Sequence, residues 1–141
     1  MDYCHQKRIV HRDLKLSNIV FASPNSKEIR VVDFGISGLN VPLNHRDNAI
    51  AGSLRYMAPE VITGKHTSPD PSLDIFSMGV ILFALVNGRL PFDGSDDLVK
   101  QNTINGCYQY SSSANISDEC KDLIDGMLKV EPKERLTLKA I

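Results

Sequence analysis

Eight residues near the start of the chain, His11-Arg12-Asp13-Leu14-Lys15-Leu16-Ser17-Asn18, set a carboxylate, an ammonium and a carboxamide within a few positions of one another. Asp13 can accept or orient a hydroxyl proton, and Lys15 can neutralise negative charge growing on a transferred group. Asn18 offers a hard oxygen of the kind Mg²⁺ prefers. Phosphoryl transfer asks for little covalent chemistry from a protein; it needs positioned charge and an in-line nucleophile. A loop that aims these three groups at one point meets that need. Taken alone, the same string also reads as a polar surface loop whose acids and bases pair with one another.

A second carboxylate follows twenty residues later, in Asp33-Phe34-Gly35. It comes directly after a β-rich run, with a glycine behind it for backbone freedom, and is suited to be a second Mg²⁺ ligand. An isolated Asp-Phe-Gly is a common strand exit; its order and spacing behind Asp13 give it weight. Twenty-seven residues beyond Asp33 lies Glu60, closing Ala58-Pro59-Glu60.

Several elements must hold these groups. The run Met1–Lys7 reads as the end of a helix, and Ile9-Val10 as a strand-like pair. Ile19-Val20-Phe21 and Ile29-Arg30-Val31-Val32 read as the strands of a hairpin, because Ala22–Glu28 between them is rich in turn residues. Residues 36–55 show little periodicity and predict a long loop, which inside a compact domain is usually functional. The second half reads as helical. Ser72 is the expected N-cap of a helix through Val86, apolar on nearly every side and so buried all round, with Asn87-Gly88 as its stop. Ser117 is expected to cap another helix, with Asp118 and Glu119 in its first turn, where the dipole favours anions. Cys120, Leu123, Ile124, Met127 and Leu128 give that helix one apolar face. Pro132 is expected to end it, and Thr137–Ile141 to begin a further helix. The fold class predicted is mainly α with a small β-hairpin element.

Composition narrows the function classes. The 141 residues suffice for one domain with a sizeable core. Sixteen basic against seventeen acidic side chains leave a net charge of −1, so no strong field points to nucleic acid or to an anionic membrane. Three cysteines, Cys4, Cys107 and Cys120, without Cys-x-x-Cys spacing fit free thiols in a reducing compartment, which predicts the cytoplasm or nucleus. Met1 to Arg8 lacks the apolar core of a signal peptide. The longest apolar run, Ile75–Val86, is too short to span a bilayer.

Together these motifs resemble the eukaryotic serine/threonine protein kinase family. The catalytic-loop, Mg²⁺-loop and Ala-Pro-Glu strings occur in family order with family-like gaps. Asp74-Ile75-Phe76-Ser77-Met78-Gly79, Pro91-Phe92, and Arg135 within Pro132–Thr137 match as well, so the resemblance covers nearly the whole chain. Lys15, two residues past Asp13, marks serine/threonine rather than tyrosine specificity, and Pro91–Gly94 is similar to calcium/calmodulin-dependent kinases. The resemblance implies a kinase-like carboxy-terminal lobe over 1–141, ATP and Mg²⁺ as cofactors, and a protein substrate offering Ser or Thr. It implies Asp13 as catalytic base, Lys15 as its charge-neutralising partner, and Asn18 and Asp33 as metal ligands. Val20 becomes a floor contact for adenine, and Ser53 the hydroxyl that helps hold Asp13 and Lys15. His11, Phe34 and Gly35 set the Mg²⁺ loop, Asp74 braces the catalytic loop, and Glu60 with Arg135 forms a buried ion pair. Arg12 beside Asp13 implies an activation loop ordered by negative charge, yet Gly38–Gly52 holds no Ser, Thr or Tyr. Asp47 could supply that charge, Ala49 occupying the usual phosphosite. Ser17 and Leu16 remove one attraction for basic peptides. Leu54 and Met57 would seat an apolar residue after the phosphoacceptor.

The 141 residues contain no Gly-x-Gly-x-x-Gly loop and no strand lysine of the Val-Ala-x-Lys type, the parts that cover and grip the phosphates in kinases. The expectation is therefore a lobe truncated at both ends, lacking the amino-terminal lobe, that transfers little or no phosphate alone. If ~400 Å² of apolar surface is left bare, the lost burial is about 10 kcal/mol at ~25 cal/mol per Å², enough to predict aggregation or partial disorder. Two other readings stand beside the leading one: a non-catalytic kinase-like interaction module or pseudokinase remnant, and a small-molecule phosphotransferase. Retention of Asp13, Lys15, Asn18 and Asp33 weighs against the first of these, and Ala58-Pro59-Glu60 with Arg135 against the second.

Overall fold

The computed structural model describes residues 1–34, 53–65 and 70–141. A short helix, α1 (Asp2–Gln6), opens the chain. It turns back on itself where Ile9 N–H reaches Cys4 O at 2.8 Å, with Arg8 at φ 59°. Ile9-Val10 pairs with no strand among the described residues, and Val10 is buried in the core. A single 3₁₀ turn (Leu16–Asn18) leads into β1 (Ile19–Phe21), which pairs antiparallel with β2 (Ile29–Val31). Ile19 faces Val31 and Phe21 faces Ile29, as the hairpin reading requires.

Further along, the described residues include the helices α2 (Pro59–Ile62), α3 (Ser72–Asn87), α4 (Asp96–Asn105) and α5 (Asp118–Met127), and then a 3₁₀ turn (Pro132–Glu134). The predicted class, mainly α with one small hairpin, is the observed one. The core surrounds α3. Phe76, Val80 and Phe83 are buried completely and meet Phe92, Val99, Ile124 and Leu128 from the later elements. Gly79 lets α5 come close, since a Cβ there would lie 2.9 Å from Met127 Cβ. Leu85 is the main exception to burial on every side; it is exposed.

Helix ends show where local rules hold. Gly88, at φ 76°, closes α3 in the left-handed conformation and donates to Ala84 O at 3.0 Å. Ser117 caps α5 by accepting Cys120 N–H. Ser72, however, is not the cap of α3. Asp70 accepts Ser72 N–H at 2.8 Å through its carboxylate, Pro71 takes the cap position, and Ser72 Oγ is buried with no partner among the described residues. A carboxylate two residues upstream does the same work with a full charge.

Three further differences appear. Helix α4 has no counterpart among the predicted elements, because it buries only Val99 and Thr103 and shows little periodicity. Its ends still carry signals: Ser95 accepts Leu98 N–H, and Gly106 ends it at φ 64°. Helix α5 stops at Met127, five residues before Pro132, which instead begins the 3₁₀ turn. Thr137–Ile141 forms one turn closed by Ala140 N–H to Thr137 O, not a helix. The predicted long loop falls mostly on residues 35–52, outside the described residues.

Candidate active site

The catalytic-loop string is an irregular strap, and its shape comes from one buried carboxylate. Asp74, in the first turn of α3 and wholly buried, accepts His11 N–H at 2.9 Å and Arg12 N–H at 2.8 Å. It also accepts Nε2–H of His5 at 2.8 Å, so α1, α3 and the strap meet at one group. Arg12 takes φ 71°, a conformation that costs a non-glycine residue roughly 1–2 kcal/mol. The charge-assisted bonds to Asp74 offset that cost.

Beyond Arg12 the chain brings four of the expected groups together. Lys15 Nζ donates to Asp13 Oδ2 at 2.7 Å and to Ser53 Oγ at 3.0 Å. Asn18, buried, donates from Nδ2 to Asp13 O at 2.9 Å and reaches Asp13 Oδ2 at 3.4 Å. Its amide nitrogen is thereby spent on Asp13, which leaves Oδ1 as its uncommitted oxygen. Asp13 Oδ1 is likewise without a hydrogen bond among the described residues, whereas Oδ2 is engaged twice.

The hairpin carries the rest. Val32 N–H bonds Asn18 O at 2.9 Å, which ties the end of β2 to the strap. His11 donates from Nε2 to Val32 O at 2.9 Å and accepts Asp13 N–H on Nδ1 at 3.3 Å, so its proton sits on Nε2. The His11 ring packs on Phe34 with centroids 4.5 Å apart. Between Val32 and Phe34 in the chain, Asp33 sits at φ 64°, its side chain exposed and without a hydrogen bond or ion pair among the described residues. Val20 lies exposed on β1. Gly35, Asp47 and Ala49 lie outside the described residues.

Glu60 and Arg135 meet away from this cluster. Arg135 donates to both Glu60 oxygens, at 2.7 and 2.6 Å, and their side chains are 11 and 1 % exposed. Leu54 does not offer an apolar seat for a peptide. It is 4 % exposed and belongs to the core, with Met57 packed against it. Sequence patterns also miss His5 and Arg55. His5 lies 69 positions from Asp74, and no local signal links them. Arg55 ion-pairs with Asp93 at 3.0 Å.

A loop-borne acid, ammonium and carboxamide are thus braced from a buried helix, with a second carboxylate at a hairpin's end. The family model for the protein kinase domain matches residues 1–141. The chain belongs to the protein kinase domain family. It is 41 % identical, over its full length, to a probable serine/threonine-protein kinase of Dictyostelium discoideum, MARK-A, and spans 13 % of that protein. It is 40 % identical, again over its full length, to the human SNF-related serine/threonine-protein kinase and spans 18 % of it. The described fold is similar to the kinase region of twitchin from C. elegans, with a TM-score of 0.83 and 31 % identity over 96 % of this chain and 24 % of that one. These relatives are compatible with the likeness of Pro91–Gly94 to calcium/calmodulin-dependent kinases. Among the described residues no helix is long and apolar enough to cross a membrane.

Proposed function

We propose that this chain carries the phosphoryl-transfer half of a serine/threonine protein kinase site, with ATP and Mg²⁺ as cofactors and a Ser or Thr hydroxyl of a protein as acceptor. The observation that carries the reading is the three-way contact of Asp13, Lys15 and Ser53, with Asn18 held against it.

Asp13 Oδ2 is occupied by Lys15, so the acceptor hydroxyl is assigned to Oδ1. There the proton passes to the carboxylate as the hydroxyl oxygen bonds phosphorus and the bond from phosphorus to the bridging oxygen of ATP breaks. Lys15 holds Asp13 in place and offers its charge to the transferred phosphoryl oxygens. Asn18 Oδ1 and the Asp33 carboxylate are hard oxygens left uncommitted among the described residues and would be the groups to hold Mg²⁺. Bound there, Mg²⁺ would neutralise charge on the phosphates. Val20 lends the adenine an apolar floor.

The 141 residues hold no glycine-rich loop or strand lysine to close over the phosphates. Turnover by this chain alone is therefore expected to be slight, and the test does not rely on it. Mn²⁺ with ATP should broaden the amide resonances of Asn18, Val20 and Asp33 in the chain, and Asp33→Ala should abolish the effect. Broadening confined to other regions, or none, would overturn the reading. Labelled ATP with a peptide pool provides the second arm. Brisk transfer that disappears in Asp33→Ala would confirm the site and refute the expected weakness of the chain alone.

A further inference from the structure

The turn that presents Ser53 to Lys15 is short and is pinned at several points. Tyr56 N–H bonds Ser53 O at 3.0 Å and Met57 N–H bonds Leu54 O at 3.1 Å, while Leu54 anchors in the core. On its inner side Ser77 Oγ, from α3, donates to Tyr56 O at 2.8 Å. On its outer side stands Arg55. Its Nε donates to Asp93 Oδ1 at 3.0 Å, its Nη2 donates to Gly94 O at 2.9 Å, and Nη1 lies 3.9 Å from Asp96 Oδ1.

The receiving end is itself pre-shaped. Gly94 adopts φ 117°, open to glycine, and its N–H bonds the same Asp93 oxygen at 2.8 Å. That bond first, and Arg55 second, hold the Asp93 carboxylate below its usual range. Ser95 then caps α4. A planar guanidinium thus spans two chain segments 38 positions apart and engages one carboxylate and one carbonyl by two different nitrogens. Lysine cannot reproduce that fork.

We propose that Arg55 is a positioning residue: by clamping the Ser53–Met57 turn onto the Asp93-Gly94 loop, it keeps the Ser53 hydroxyl on Lys15 and so holds the Asp13–Lys15 pair in register. The role in catalysis rests on the kinase reading above; the mechanical role does not. The ion pair is partly exposed, with Arg55 24 % and Asp93 66 % accessible, so its contribution lies in geometry rather than in bulk stability.

Hydrogen–deuterium exchange on the 141-residue chain separates the two. Arg55→Gln should speed exchange at the Tyr56 and Met57 amides about tenfold while the α3 amides stay as they were. Asp93→Asn, which keeps the shape and removes the charge, should do the same to a smaller degree. The swapped pair Arg55→Asp with Asp93→Arg should restore part of the protection. Unchanged exchange in both single variants overturns the clamp. Acceleration spread through α3 and α5 also overturns it, since that is the mark of general loosening. Where transfer to a peptide is measurable, Arg55→Gln should raise the peptide KM several-fold and leave the ATP KM alone; an unchanged peptide KM overturns the catalytic part. If exchange responds but Mn²⁺ with ATP broadens no resonance of Asn18, Val20 or Asp33, the clamp stands and the kinase reading falls.

Discussion

Replacing Glu60 is expected to unfold this chain at a markedly lower temperature, and the size of the effect follows from the surroundings of Arg135. Arg135 has five N–H donors, and all five are used. Nε bonds Lys129 O at 2.8 Å, and Nη1 bonds Glu60 Oε1 at 2.7 Å and Ser72 O at 3.1 Å. Nη2 bonds Glu60 Oε2 at 2.6 Å and Val130 O at 3.0 Å. The guanidinium also lies over the Phe76 ring, 5.0 Å from its centroid. Removing one partner of a buried pair typically costs about 3–5 kcal/mol, because the other charge is stranded. Three backbone carbonyls and an aromatic face remain around Arg135, so Glu60→Gln belongs near the lower end, at ~3 kcal/mol. At roughly 3 °C per kcal/mol for a chain of this size, the melting point should fall by ~10 °C. Arg135→Lys should cost no less, since an ammonium has three donors for five acceptor contacts. Replacing both partners, Glu60→Met with Arg135→Leu, should cost less than the two single changes added together. Thermal unfolding followed by circular dichroism decides the matter. A Glu60→Gln variant melting within about 1 °C of the unaltered chain would refute the reasoning.

Gly79→Ala should destabilise by ~1–3 kcal/mol, since its Cβ would meet Met127 Cβ at 2.9 Å and Leu128 Cδ2 at 3.0 Å across the α3–α5 contact; urea unfolding measures it. Tyr108 and Tyr110 both donate to Asp125 Oδ1 at 2.6 Å, and burial first, then that carboxylate, raises both phenols well above their usual range. A folded pKa above the unfolded one contributes stability that is full below about pH 10 and is lost as pH climbs beyond it. Stability should thus fall as pH rises from about 10 upward by roughly the tyrosine linkage, and Tyr110→Phe should flatten that slope in denaturant titrations; an unchanged slope counts against the phenols. Eight of the twelve exposed large apolar side chains among the described residues precede residue 35, and Phe21 and Ile29 face each other on the hairpin. Phe21→Ser with Ile29→Thr should therefore lower self-association in sedimentation velocity, and no change would move the sticky surface elsewhere.

Much of this protein was legible in one dimension because its signals are local. The Asp13–Asn18 string, the strand pair around a turn-rich segment, Ser117 before two acids, and Gly88 behind an apolar run each act within a few residues. Short range also explains the failures. Ser72 resembles a cap, but Asp70 is close enough to displace it. Helix α4 buries too little surface to leave a periodic trace. The motif order identified the family without coordinates, since like spacing in a like fold demands like contacts.

Folding settled the relations between distant segments. Asp74 joins His5, His11 and Arg12 across more than sixty positions, and Arg55 finds Asp93 across 38. Leu54, which composition leaves free to face a peptide, goes into the core because α3 presents Phe76 and Val80 there. Which oxygen of Asp13 stays open depends on Lys15 bending back to Oδ2 and Ser53 arriving from another part of the chain. A sequence specifies the types of group available within a few bonds' reach. Hydrogen-bond direction and burial are properties of three-dimensional neighbourhoods, and packing alone assembles those.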